Sequence, residues 1–161
     1  MSSVVRCAAL LGVIARALAR LPRPVAGIAT LLWMAAIFVL SSDRRDFLPP
    51  NALGHFVSNA AHGPIFGVLA LLAARATGRQ RLGVVIALLY AITDEWHQSF
   101  VPGRSSSLLD LGTDAAGALT ALWLVAAPVQ RSLPESAAWL RVAGSLVAIG
   151  IAAGVATFFD A

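Results

Sequence analysis

Five stretches of the chain stay apolar for most of their length without the alternation of a half-buried strand: Val25 to Leu40, His55 to Ala76, Leu82 to His97, Leu108 to Val129 and Ala138 to Phe159. Continuous runs of this kind predict helices, the form that satisfies its own backbone inside a bilayer. The breaks fall at Pro22 and Pro24, Pro49-Pro50, Gly78, Pro102-Gly103, and Pro128 with Pro134, residues that interrupt helices. Several runs are short against the ~20 residues that usually cross hydrocarbon, so their polar ends are expected to dip into the bilayer. Ahead of them, MSSVVRCAALLGVIARALARL sets Arg6, Arg16 and Arg20 into an apolar run. Arginines at both ends suit an amphipathic helix on the inner membrane surface better than a cleaved signal, although Ala15, Ala17 and Ala19 permit cleavage. The expected fold is all-α: one polytopic transmembrane bundle over residues 1–161, with about five spans and an N-terminal amphipathic helix.

Composition agrees. The chain is 58% hydrophobic and 12% charged, with a mean hydropathy of +0.79, whereas soluble domains carry about 25% charged residues. Cys7 is the only cysteine, which excludes an internal disulfide framework and a cysteine-based metal cage. Arginine supplies all the lysine-plus-arginine count of 12, against 8 acidic residues. The arginines are scattered between apolar runs rather than gathered with aromatic or polar readers on one face, so the charge balance does not indicate nucleic acid. They read as topology determinants instead. Arg6, Arg16, Arg20 and Arg23, then Arg75, Arg79 and Arg81, then Arg131 and Arg141 mark alternate connections as cytoplasmic. The expected placement is the inner (plasma) membrane, with the N-terminus in the cytoplasm.

The exception to this apolar pattern lies between positions 90 and 114, where Asp94, Glu95, His97, Arg104, Asp110 and Asp114 crowd together. A charge near the middle of a spanning helix costs at least ~2.5 kcal/mol, so such groups pair, line a wet cavity or act chemically. Helical spacing arranges them in stripes. His55, Ser58, Asn59 and His62 share one face of the second span; Tyr90, Asp94, His97 and Gln98 share one of the third; Asp110, Asp114 and Gly117 share one of the fourth. All three stripes lie at the end predicted to face outward, and the expected arrangement turns them toward one polar pocket.

Imidazole and carboxylate together suit general acid–base work, with Asp94 orienting His97 or His62 and Arg104 holding an anion. They also suit zinc or manganese, although no dense ligand motif such as HExxH occurs. A third use needs no reaction: binding a lipid headgroup, a cell-wall precursor or a glycopeptide. Structural alternatives stand beside these. Asp94 with His97 or Gln98 are local partners by spacing, and Arg104 is placed to snorkel to the interface. Glu95, about 100 degrees around the helix from Asp94, is expected to face water, and Asp110 is placed to cap a helix at Leu111. Gly150 and Gly154 form a small-xxx-small pair suited to close packing in the last span.

The run LLYAITDEWHQSFVPGRSSSLLDLGTDAAGAL resembles the VanZ-like family of bacterial membrane proteins, whose signature is an aromatic-rich helix ending in DE-x-HQ-x-F-x-PGR. Asp110 matches the aspartate that follows; Asp114 stands where asparagine is usual. An earlier element resembles Asn59 to His62 followed by Phe66, with Asn59 in place of lysine and Gly63 in place of phenylalanine. The likeness covers about residues 55–125. It implies a functional set of His62, Asp94, Glu95, His97, Gln98, Arg104 and Asp110. Asn59 and Asp114 join Gln98 and Arg104 as groups expected to hold a ligand. The resemblance also implies a cell-envelope role, with members associated with resistance to the glycopeptide teicoplanin.

Overall fold

The computed structural model describes residues 3–42, 51–102, 107–130 and 135–159. They form helices α1 (Ser3–Arg20), α2 (Arg23–Ser41), α3 (Ala52–Thr77), α4 (Gln80–Gln98), α5 (Leu108–Gln130) and α6 (Glu135–Phe159), with no strand among the described residues.

Local chemistry sets the boundaries. Pro24 in the first turn of α2 has no N–H for the helix to satisfy. Asn51 accepts the Gly54 N–H at 2.9 Å, so α3 begins three residues before the expected His55. Gly78, with φ 71°, ends α3 in the left-handed conformation that residues with a Cβ avoid. The cap of α5 differs from expectation. Ser107 Oγ accepts the N–H groups of Leu109 and Asp110 at 3.0 and 3.2 Å, which puts Asp110 inside the first turn rather than at the cap. The serine run ahead of the helix supplies a hydroxyl that reaches both free donors, so the helix starts earlier.

Side-chain contacts show α2 to α6 running alternately in opposite directions. Met34 and Ser41 of α2 meet Tyr90 and Asp94 of α4 in parallel order. Gly63 and Gly67 of α3 meet Gly117 and Ala121 of α5, also in parallel order. Asn59 reaches Thr157 near the end of α6, while Trp123 of α5 meets Arg141 near its start. The polar ends of α2, α3, α4 and α5 therefore gather at one end of the bundle. At the other end Arg75 Nε donates to the Leu21 carbonyl at 2.6 Å. Helix α1 packs against α5 and α6 rather than against α2, its neighbour in sequence.

Small residues form most of the interior: Ala70, Ala73, Ala74, Ala87, Ala91 and Ala118 are buried, with Ile37, Phe66, Leu69 and Leu122 as large side chains among them. Leu31, Leu32, Val39, Leu146, Val147 and Ile151 point outward. This inverts a soluble protein and follows from lipid as solvent, where close backbone approach rather than apolar burial holds helices together. A Cβ on Gly117 would overlap the Gly63 backbone, and one on Gly83 would meet Ala70 and Ala74. The glycines that pack are thus on α3, α4 and α5. A Cβ on Gly150 or Gly154, the expected packing pair, would meet nothing within 4 Å.

Four of the described helices are long and apolar enough to cross a membrane: α2, α3, α5 over Leu108–Val125, and α6 over Ala137–Phe159. The third expected span, α4, is not among them, because Arg81, Asp94 and Glu95 lower its hydropathy. Its 19 residues still reach about 28 Å, and its acidic groups turn inward rather than to lipid.

Candidate functional site

Two polar clusters occupy the same end of the bundle on different faces of α4, about 100 degrees apart. The first lies between α3, α4 and α5. His62 Nδ1 stands 3.0 Å from Asp114 Oδ1, and one donor atom each from His62, Glu95 and Asp114 lie within 4.8 Å of one another. Glu95 Oε2 accepts the Ser107 N–H at 2.8 Å, which ties α4 to the start of α5. Asp114 is 1% exposed and Glu95 9%. Glu95 therefore faces the protein, not water as expected. The rotation that carries it away from Asp94 brings it to α5, because α4 is enclosed by neighbours on both polar faces. The Asp110 carboxylate is near enough to act electrostatically on His62, Glu95 and Asp114.

The second cluster joins α4 to α2. Asp94, 4% exposed, accepts from Ser41 Oγ at 2.7 Å and from Gln98 Nε2 at 2.8 Å. His97 Nε2 lies 2.9 Å from Ser42 Oγ, and its ring stacks on Phe38 with centroids 4.2 Å apart. Asp94 was expected to orient a histidine; both its oxygens are instead taken by Ser41 and Gln98. The aspartate that pairs with a histidine is Asp114, because the glycine contact between α3 and α5 brings it within reach of His62.

Beside this cluster is a mostly apolar groove of about 510 Å³. Phe38, Tyr90, Trp96 and Phe100 give it an aromatic wall, and Thr93, Asp94 and His97 add polar groups. Trp96 is 68% exposed, with Phe100 packed edge-on at 5.4 Å, so the groove opens toward the surroundings of the bundle. The Tyr90 hydroxyl donates to the Met34 carbonyl at 2.6 Å and fixes the floor.

The three stripes thus do not meet in one chamber. His62 and Asp114 do meet, joined by Glu95 rather than Asp94; Asp94, His97 and Gln98 face α2. Asn59 turns to α6, where it donates to Thr157 Oγ1 at 3.1 Å, and His55 and Ser58 are exposed. Arg104 lies outside the described residues. Sequence reasoning missed Phe38, Ser41 and Ser42. The signal available was a hydroxyl pair at the end of the first span, where lipid offers it no partner.

A family model described as VanZ/LLP1 matches residues 23–129, from α2 through nearly all of α5, and includes the polar residues of both clusters. No curated protein and no solved structure matches the chain. The helical architecture with several apolar spans agrees with the family match, and the chain belongs to the VanZ/LLP1 family of membrane proteins.

Proposed function

We propose that this chain binds the polar end of a cell-envelope amphiphile, a lipid, lipid-linked wall precursor or glycopeptide, in the groove between α2 and α4. The observation that carries this reading is the groove itself: an aromatic wall open to the surroundings of the bundle, beside polar contacts that hold the buried Asp94 and the half-buried His97. Aromatic surfaces accept acyl or sugar groups, while a few placed polar groups set orientation. The arginine bias of the connections supports a placement of this end of the bundle outside the cytoplasm. The family's association with teicoplanin resistance fits an envelope ligand. A transport pathway is less well supported, since the interior toward the other end is mostly small and apolar, and the buried hydroxyls of Thr30 and Ser145 bond to carbonyls of their own helices.

A catalytic reading has one observation of its own. The His62–Asp114 pair with Glu95 close by is an acid–base constellation, in which a carboxylate orients an imidazole and a second carboxylate stands within reach. On that reading the groove holds the amphiphile and the buried centre alters it.

Native mass spectrometry of the detergent-solubilised chain with envelope lipid extract and with teicoplanin tests the binding. One class is retained by the wild type, and Trp96→Ala or Phe38→Ala weakens retention about tenfold, the effect of removing an aromatic anchor. Retention that does not discriminate between classes, or is indifferent to both substitutions, overturns the proposal. Conservative His62→Gln separates the readings, because it abolishes turnover while leaving retention intact.

A further inference from the structure

Two carboxylates and one imidazole share the space between α3, α4 and α5. Asp114 and Glu95 are more than nine-tenths buried. Each uses one oxygen, Asp114 Oδ1 toward His62 and Glu95 Oε2 toward the Ser107 N–H. The other oxygens, Asp114 Oδ2 and Glu95 Oε1, are buried and have no hydrogen-bond partner among the described residues. Buried polar atoms are nearly always satisfied, and an orphaned carboxylate oxygen on each of two neighbouring side chains calls for a ligand. Among the described residues, even a protonated His62 offsets only one of the two negative charges, and Asp110 adds to the negative field. An uncompensated carboxylate in such a place is strongly disfavoured.

We propose that His62, Glu95 and Asp114 bind a divalent transition-metal cation, zinc by the character of the donors. One imidazole nitrogen with two carboxylate oxygens is a donor set that zinc accepts, and calcium or magnesium would favour oxygen alone. The donors already lie within 4.8 Å of one another; a tetrahedral zinc site needs them about 3.4 Å apart, so binding draws them closer together. The Ser107 N–H on Glu95 is the kind of outer contact that orients a ligating carboxylate. Three protein donors leave a position open for water or a substrate oxygen, the arrangement of reactive rather than structural sites. This inference does not depend on the occupant of the α2–α4 groove, since metal uptake and amphiphile retention are separate measurements.

The test uses the full chain in detergent, stripped with chelator, then titrated with zinc alone and with cobalt alone. Elemental analysis is expected to show one zinc per chain, with a raised melting temperature, and cobalt to give the visible bands of a four- or five-coordinate site. Glu95→Gln and Asp114→Asn each weaken zinc binding by about tenfold or more, while His55→Gln, at an exposed position on the same helix, leaves it unchanged. Zinc well below one per chain, binding indifferent to both carboxylate variants, or binding lost with His55→Gln overturns the proposal. Should the variants fail to fold, the wild-type cobalt spectrum decides, and an octahedral, water-like spectrum refutes the site.

Discussion

His62 Nδ1 stands 3.0 Å from Asp114 Oδ1 because the next residue, Gly63, lies against Gly117, three residues beyond the aspartate on α5. Aspartate is a short side chain, and it reaches the imidazole only because two residues without a Cβ let the backbones touch. The polar pair and the glycine contact are one structural unit.

Gly117→Ala is therefore expected to separate α3 from α5 and break that pair. Overpacking of this kind costs about 1–3 kcal/mol, read as a lowered melting temperature in detergent. Gly150→Ala, with open space around its new methyl group, is expected to be neutral or slightly stabilising, by up to about 1 kcal/mol from helix propensity. Equal effects at the two positions would contradict the packing described.

Removing the carboxyl of Asp114 leaves the partly buried His62 without its partner, so Asp114→Ala is expected to destabilise by about 1–3 kcal/mol. Asp114→Asn keeps an acceptor oxygen and the shape, and loses less. Thermal unfolding of both variants, in chelator to remove metal effects, orders them.

Ser107→Ala removes the hydroxyl that accepts from Leu109 and Asp110. Loss of such a cap costs about 0.5–2 kcal/mol. The Ser107 N–H remains to hold Glu95, so Ser107→Thr, which keeps a capping hydroxyl without adding charge, is expected to retain most of the stability. Circular dichroism melts of the three proteins give the comparison.

The bond from Ser41 to Asp94 connects α2 to α4 beside the groove. A double-mutant cycle with Ser41→Ala and Asp94→Asn is expected to return a coupling of about 0.5–3 kcal/mol, as groups in contact do. A coupling near zero would mean that this network does not hold α2 in place.

Orientation is open to labelling. In a chain whose native Cys7 is replaced by serine, Ser99→Cys at the polar end is expected to react with a membrane-impermeant maleimide in intact cells. Gln80→Cys at the opposite end of α4 is expected to react only after permeabilisation. The reverse pattern would place the groove on the cytoplasmic side.

The residues by themselves determined the helices. Their apolar runs are long and their breakers sharp, so the expected spans match α2 to α6 to within a few residues at most ends; helix formation depends on neighbours in sequence, and in lipid the backbone has few alternatives. The concentration of ionisable groups at one end was equally legible, since depth along a helix follows from residue count. Which of them touch was not. Glu95 rather than Asp94 meets His62 and Asp114, and Ser41 and Ser42 complete the other cluster, because those contacts depend on the rotation of each helix about its axis and on the distance between helices. Rotation and distance are fixed by glycine and alanine contacts such as Gly63 on Gly117 and Gly83 on Ala70. A pattern read along the chain marks small residues as capable of close approach, as it did for Gly150 and Gly154, but only packing in three dimensions selects the ones that use it.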